Sequence, residues 1–311
     1  FAMSGPGLII IEATGVEAEG RITHGCSGLY SDENEAAMKR VVDFCKSVGQ
    51  SKIGIQLGHA GRKASSQRPW EGGNALSQDV WQTYAPSAIP FADGWHTPEA
   101  LDDAGLARIK QAFVDSAKRA VRLGIDAIEL HAAHGYLLHQ FLSPISNQRD
   151  DAYGGSLENR LRYPLEIFDA VKAVVPADMP VLVRVSASDW VDGGWDVEQT
   201  IEFAKALDAV GCAALHVSSG GNSLAQKINI GYGYQTDLAK QIRDEVAMPI
   251  IAVGMITDPV QAETIIRTGQ ADMVALAREF LRDPHWTWRA AKALRSTSSV
   301  PDQYARAVTF S

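Results

Sequence analysis

Residues 180–221 read PVLVRVSASDWVDGGWDVEQTIEFAKALDAVGCAALHVSSGG. A β-branched apolar run opens the stretch. A segment with apolar residues near every 3.6 positions follows (197–211), and a second apolar run, ALHVSSGG (214–221), closes it. Short continuous apolar runs bounded by Gly and Pro read as buried strands, and the longer periodic segment reads as an amphipathic helix. Two apolar strands joined through a helix form a parallel pair covered by that helix.

The alternation continues in both directions. Upstream, GLIIIEATGV (7–16) precedes the helical DENEAAMKRVVDFCKSVG (32–49). KIGIQLGHAG (52–61) leads through a long loop to DAGLARIKQAFVDSAKRAVRLG (103–124), and DAIELHAAHG (126–135) leads to ENRLRYPLEIFDAVKAVV (158–175). Downstream, QTDLAKQIRDEVA (235–247) follows the second strand of the opening stretch. PIIAVGMITD (249–258) with PVQAETIIRTG (259–269), and DMVALAREF (272–280) with PHWTWRAAKALR (284–295), complete the series. Seven strand–helix units of this length predict an α/β fold, a (β/α)8 TIM barrel. A doubly wound sheet is the alternative, but it usually carries a Gly-rich turn after its first strand, and the sequence holds no GxGxxG. A closed barrel needs eight strands, so the first βα unit is expected to be absent from residues 1–311. The two unpaired edges would then be residues 8–16 and 273–280. No linker or low-complexity tract divides the chain, which reads as a single domain over 1–311. The loop 62–103 carries Trp70, Trp81 and Trp95 and follows a strand's C-terminal end. A loop that long is usually functional. A peripheral hairpin packed by its aromatics is the alternative.

Bulk properties narrow the function. The 311 residues are 46% hydrophobic and 21% charged, ordinary for a soluble domain, with a net charge of -8 and a pI near 5.5. An acidic chain with no basic run is a poor ligand for nucleic acid or an anionic membrane. No apolar stretch approaches the roughly 18 residues that span a bilayer. The N-terminal residues lack the basic flank of a signal peptide. Cys26, Cys45 and Cys212 are odd in number and scattered, which fits a reducing cytoplasm better than a disulfide framework.

Barrels aim their chemistry from strand C-termini. Here those positions are Ala13, Gln56, His131 and His134, Arg184, Ser218 and Ser219, Gly254 and Arg278. No inward carboxylate pair is among them, which disfavours glycoside hydrolysis. The His131/His134 pair could be a metal site, an acid/base pair, a carbonyl clamp or packing. No carboxylate lies at a comparable strand end to complete a metal set. Gly254 and Arg278 follow the last two strands, where barrels bind phosphate. Gln56 could bond both edges of a heterocycle. Arg184 could stabilise negative charge on that heterocycle, or belong to a structural ion pair.

Several stretches carry a closer resemblance: IEATGV, KIGIQLGHAGRKA, YAPSAIPF, VRVSASD, AVGMITDP, LAREFLRDP and, most diagnostic, the segment 131–162 from HAAHGYLLHQFLSP to SLENRLR. They cover almost the whole chain in order, and the sequence resembles the Old Yellow Enzyme family, in its thermophilic-like bacterial branch. The resemblance implies an FMN-dependent ene-reductase that takes hydride from NADPH or NADH and reduces activated C=C bonds of α,β-unsaturated carbonyl or nitro compounds. By position, Ala13 and Gln56 would contact the isoalloxazine ring, and Arg184 would lie near flavin N1 and O2. Gly254, Ala277 and Arg278 would hold the phosphate. His131 and His134 would bind the substrate oxygen, and Tyr136 would donate the proton. In the tail (300–311), Arg306 matches an arginine that completes a neighbouring subunit's site, implying a homodimer or homotetramer. The family's first strand and its flavin-tuning cysteine have no counterpart here, and Cys26 is not assigned that role. Ala277 stands where a glycine is common. A dienoyl-CoA or xenobiotic reductase and an inactive flavin-binding barrel are the alternative readings.

Overall fold

The computed structural model describes residues 1–308, and the last three residues of the tail, Thr309 to Ser311, lie outside the described residues. Strand β1 (Leu8–Gly15) leads to helix α1 (Asp32–Val48) and strand β2 (Lys52–Gly58). Inside the long loop, β3 (Tyr84–Ala85) and β4 (Glu99–Ala100) form a small separate parallel pair. Then come α2 (Asp103–Arg122), β5 (Ala127–Ala132), α3 (Leu137–Leu142), α4 (Leu157–Lys172) and β6 (Val181–Ser186). They are followed by α5 (Val197–Ala209), β7 (Leu215–Ser218), α6 (Thr236–Arg243), β8 (Ile250–Ala252) and α7 (Pro259–Arg267). The last elements are β9 (Met273–Val274), α8 (Arg278–Arg282) and α9 (Trp286–Ala293).

The main sheet has seven strands in the order β1-β2-β5-β6-β7-β8-β9, and every pairing is parallel. Chain order equals spatial order, as in a barrel and unlike a doubly wound sheet. The local reasons are ordinary ones. Ser31, Asp102, Ser156, Asp196 and Asp258 cap α1, α2, α4, α5 and α7 by accepting from backbone N–H groups in the first turn. Helix α2 buries Leu106, Ile109, Phe113, Ala117 and Ala120, one stripe at helical spacing. All six residues of β5 are buried, as expected of a central parallel strand.

The sheet separates two cores. Outward-facing residues such as Ile128, Val183 and Leu215 pack under the helices in one large cluster. Inward-facing Ala127, Leu182, Ala214 and Ile251 make a small apolar floor. Two residues further along the same strands, the inward positions turn polar: Gln56 on β2, Glu129 on β5, Arg184 on β6 and His216 on β7.

The expected strand at 273–280 stops at Val274, and Arg278 opens α8 instead of ending a strand. Among the described residues β9 bonds to β8 alone, over two residue pairs, and Ala277 then caps α8. At the other edge β1 pairs only with β2. The loop 62–103 is not bare. It contains two 3-10 turns, a bridge between Ser66 and Ala75, and the β3–β4 pair, which Arg149 supports by donating to Pro86 O (3.0 Å) and Leu101 O (2.6 Å). Trp70 is 80% exposed, whereas Trp81 and Trp95 are half-buried.

Candidate active site

The end of β5 builds the centre of the site. His131 is the last inward residue of the strand, and the chain then turns at His134 and Gly135 before Tyr136 enters α3. His134 sits at φ 59°, a conformation disfavoured for a residue with a Cβ. The fold holds it there from both sides. Its N–H donates to Ser186 Oγ (2.9 Å), and Lys63 Nζ donates to its carbonyl and to Gly221 O, both at 2.8 Å. Gly135 has to be glycine, because a Cβ there would lie 2.3 Å from Gly221 O.

The rings converge. His131 Nε2 and His134 Nδ1 are 3.4 Å apart, and the Tyr136 ring stands edge-on to His131 at 4.9 Å between centroids. His131 Nδ1 accepts from Ala133 N–H, which places its proton on Nε2. Ser218 Oγ lies 2.8 Å from His134 Nε2, while Ser219 satisfies Gln235 Oε1 at 2.6 Å. The Ser218 hydroxyl has a second acceptor in Gln235 Oε1 at 3.4 Å, so it either donates to His134 Nε2 and leaves the proton on Nδ1, or accepts from it. His131 Nε2 and His134 Nδ1 meet at one spot. Burial, followed by the Arg184 charge, pushes His131 down to about 3 and His134 well below its ordinary value, so both are neutral imidazoles. Burial pushes the Tyr136 phenol up to about 12, which keeps its proton on. Ala13, Cys26, His59, Ala60, His131 and Tyr136 line a narrow cleft here. Ala13 reaches it through a bulge: the β1–β2 register shifts between Ile11 and Thr14, opposite Gln56.

Beneath the rings lies the polar layer. Gln56 Nε2 donates to Glu129 Oε1 (2.6 Å), and His216 Nδ1 donates to Glu129 Oε2 (2.8 Å). Burial by itself would raise the Glu129 carboxyl, but His216, Arg184 and the Gln56 amide outweigh it and hold it at about 2. Burial lowers His216, so the pair is a carboxylate and a neutral ring. Arg184 feels the Glu129 charge yet forms no ion pair among the described residues, and its buried Nε has no partner. An unpaired buried guanidinium is costly, and Arg184 therefore does not serve in a structural ion pair. Among the described residues, no cluster of His, Cys, Asp and Glu is arranged to hold a metal.

A family model, the NADH:flavin oxidoreductase / NADH oxidase family, matches residues 2–297. The chain belongs to this family. It is 45% identical over 304 residues to the NADPH dehydrogenase of Geobacillus sp. (strain WCH70), covering 98% of this chain and 84% of that protein. It is 45% identical over 300 residues to the NADPH dehydrogenase of Bacillus subtilis (strain 168), covering 96% and 84%. Among solved structures, morphinone reductase superposes with a TM-score of 0.78 at 30% identity, covering 97% of this chain and 80% of that one. The Old Yellow Enzyme homologue of Zymomonas mobilis gives 0.77 at 26%, covering 96% and 83%. As a member of this flavin oxidoreductase family the protein is an NAD(P)H-dependent enzyme with FMN as its cofactor. The Old Yellow Enzyme resemblance and the TIM-barrel fold hold.

The site's own chemistry fits that cofactor. An unpaired guanidinium and an amide face the mouth, matching a flat heterocycle that gains negative charge. Gly254, just beyond β8, has φ 125°, and a Cβ there would meet Gln235 Nε2 at 2.6 Å, so the backbone passes in close contact. Arg278 is exposed and makes no ion pair among the described residues, and Ala277 precedes it as the N-cap of α8. Thus Ala13, Gln56, His131, His134, Tyr136, Arg184 and Ser218 gather at one mouth, with Gly254 just beyond β8 and Arg278 at the start of α8.

Arg306 is not brought there. It is exposed, and its tail is anchored far from the mouth, by Gln303 bonding to Val48 O and Tyr304 packing on His285 and Trp288. Reading strand ends also missed residues deeper in the barrel. Glu129 and His216 lie two positions before His131 and Ser218, on the same strand faces. An ionisable residue at an inward position of an apolar strand was the available signal. Lys63 and Ser186, which hold His134, carried no such signal.

Proposed function

We propose that the enzyme reduces activated C=C bonds of α,β-unsaturated carbonyl or nitro compounds with hydride drawn from NADPH or NADH. When bound, FMN supplies the hydride chemistry. The observation that carries the reading is the convergence of two neutral imidazole nitrogens on one point beside a protonated phenol. His131 Nε2–H and His134 Nδ1–H bind the substrate oxygen and draw electron density toward it, which makes the β-carbon electrophilic. In this reading Ser218 donates to His134 Nε2, which leaves Nδ1–H as the donor. Tyr136, protonated at neutral pH, gives its proton to the α-carbon. Below them, Gln56, Arg184 and Ala13 would hold the cofactor's ring. Gly254, Ala277 and Arg278 hold its phosphate. A metal reading of the histidine pair is disfavoured because, among the described residues, no carboxylate or thiol joins it to make a ligand cluster. We further propose that Arg306, exposed in one protomer, completes the site of a neighbouring protomer in a homodimer or homotetramer.

Tyr136→Phe tests the central assignment. The variant should keep its flavin band and be reduced by NADPH at close to the normal rate. Its reoxidation by cyclohexenone should slow by about 100-fold, within the usual range for a general acid. An unchanged reoxidation rate in stopped-flow measurements would remove Tyr136 as the main donor.

A further inference from the structure

The proposed roles leave a deeply buried ionised group of the barrel without a task. Glu129 is 2% exposed and sits two residues below His131, facing into the barrel. Each of its oxygens takes one hydrogen bond, from the Gln56 amide at 2.6 Å and from His216 Nδ1 at 2.8 Å. Gln56 and His216 are themselves 5% exposed, and His216 Nε2 is buried with no partner. Arg184 lies close enough to feel the carboxylate but is not bonded to it.

A buried carboxylate held this way does two things. It can only accept, so it captures the NH2 of Gln56 and turns the amide oxygen the other way, as an acceptor. It also places a full negative charge in a poorly solvated space just below the guanidinium, where charge interactions are weakly screened. A structural role alone does not explain the choice. Replacing such a buried polar cluster with apolar residues of similar size usually costs nothing or stabilises.

We propose that Glu129 is a positioning residue for the cofactor: it fixes the orientation of the Gln56 amide toward the flavin and balances Arg184, thereby setting the reduction potential. The inference rests on the placement of FMN over Gln56 and Arg184. Reduced flavin is richer in electrons than oxidised flavin, so a negative charge below it disfavours the reduced form. Removing that charge should favour reduction by NADPH and slow hydride delivery to the enone.

The test is the two-electron midpoint potential of the holoenzyme. Glu129→Gln should bind reduced FMN at least tenfold more tightly relative to oxidised FMN than the wild type does, a rise of about 30 mV. Glu129→Asp, which keeps the charge, should stay near the wild-type potential. A folded, FMN-loaded Glu129→Gln with the wild-type potential would overturn the proposal. Should that variant fail to fold, the wild-type enzyme supplies a second measurement. With 13C-glutamate incorporated, the infrared difference spectrum between oxidised and reduced holoenzyme should show a glutamate carboxylate band that shifts on reduction. Its absence would overturn the proposal equally. Arg184→Met separates this failure from failure of the underlying reading. If that variant leaves both FMN affinity and potential untouched, the cofactor placement is wrong; if it changes them while Glu129→Gln does not, only the role of Glu129 falls.

Discussion

Arg184→Met should make the apoprotein more stable and the holoenzyme weaker at holding its cofactor, two effects of opposite sign from one substitution. Arg184 is mostly buried on β6, has no ion pair among the described residues, and leaves Nε unpartnered. Burial depresses its pKa, which marks the charged form as disfavoured by the fold. A buried ion with no hydrogen-bonded partner costs several kcal/mol, of which the nearby Glu129 carboxylate offsets a part. Because Arg184 keeps some contact with solvent, about 1–3 kcal/mol of that is recoverable. Met fills the same length with no charge and removes the penalty. A hydrogen bond to a charged partner contributes about 1.5–3 kcal/mol, so loss of the guanidinium should weaken FMN binding by roughly 10- to 150-fold. Urea unfolding of apoprotein at pH 7 measures the first effect, and FMN fluorescence quenching during titration measures the second. If Arg184→Met lowers apoprotein stability by 1 kcal/mol or more, the arginine is serving the fold and the reasoning fails.

Other outcomes follow from the same geometry. Arg278→Ala should raise the Kd for FMN about tenfold or more, the loss of one charge-assisted phosphate contact; unchanged flavin content after dialysis excludes it. His131 offers a pH test. Its folded value of about 3 lies below the ordinary 6.5, so the unfolded chain binds more protons between those limits and stability falls as pH drops through that window. Between pH 7 and pH 5 its share is about 2 kcal/mol. His131→Asn should remove that share of the acid sensitivity in urea titrations at the two pH values, and an unaltered slope refutes a neutral buried His131. Arg306→Ala should impair substrate binding without changing protomer stability, with sedimentation showing a dimer or tetramer; a fully active monomer would end that assignment.

Patterns of local origin were legible in the chain. The alternation of short apolar runs with helix-spaced segments predicted the seven strands in their spatial order, because each strand–helix unit is a pattern local to one stretch of the chain. The strand-end rule also gathered His131, His134, Gln56 and Arg184 at one mouth, since parallel strands all point their C-termini the same way. Three things came only from the tertiary structure. The end of β9 at Val274 and the helix over 278–282 were not legible, because a short apolar run such as 272–280 fits a strand or a buried helix equally. The fate of Arg184 depended on partners in three dimensions: the sequence left an ion pair open, and the fold supplies none among the described residues. The cluster of Gln56, Glu129 and His216 joins positions 73 and 87 residues apart in the chain. No local pattern encodes such contacts, because they exist only once the strands are set side by side in register and their inward residues share one small space.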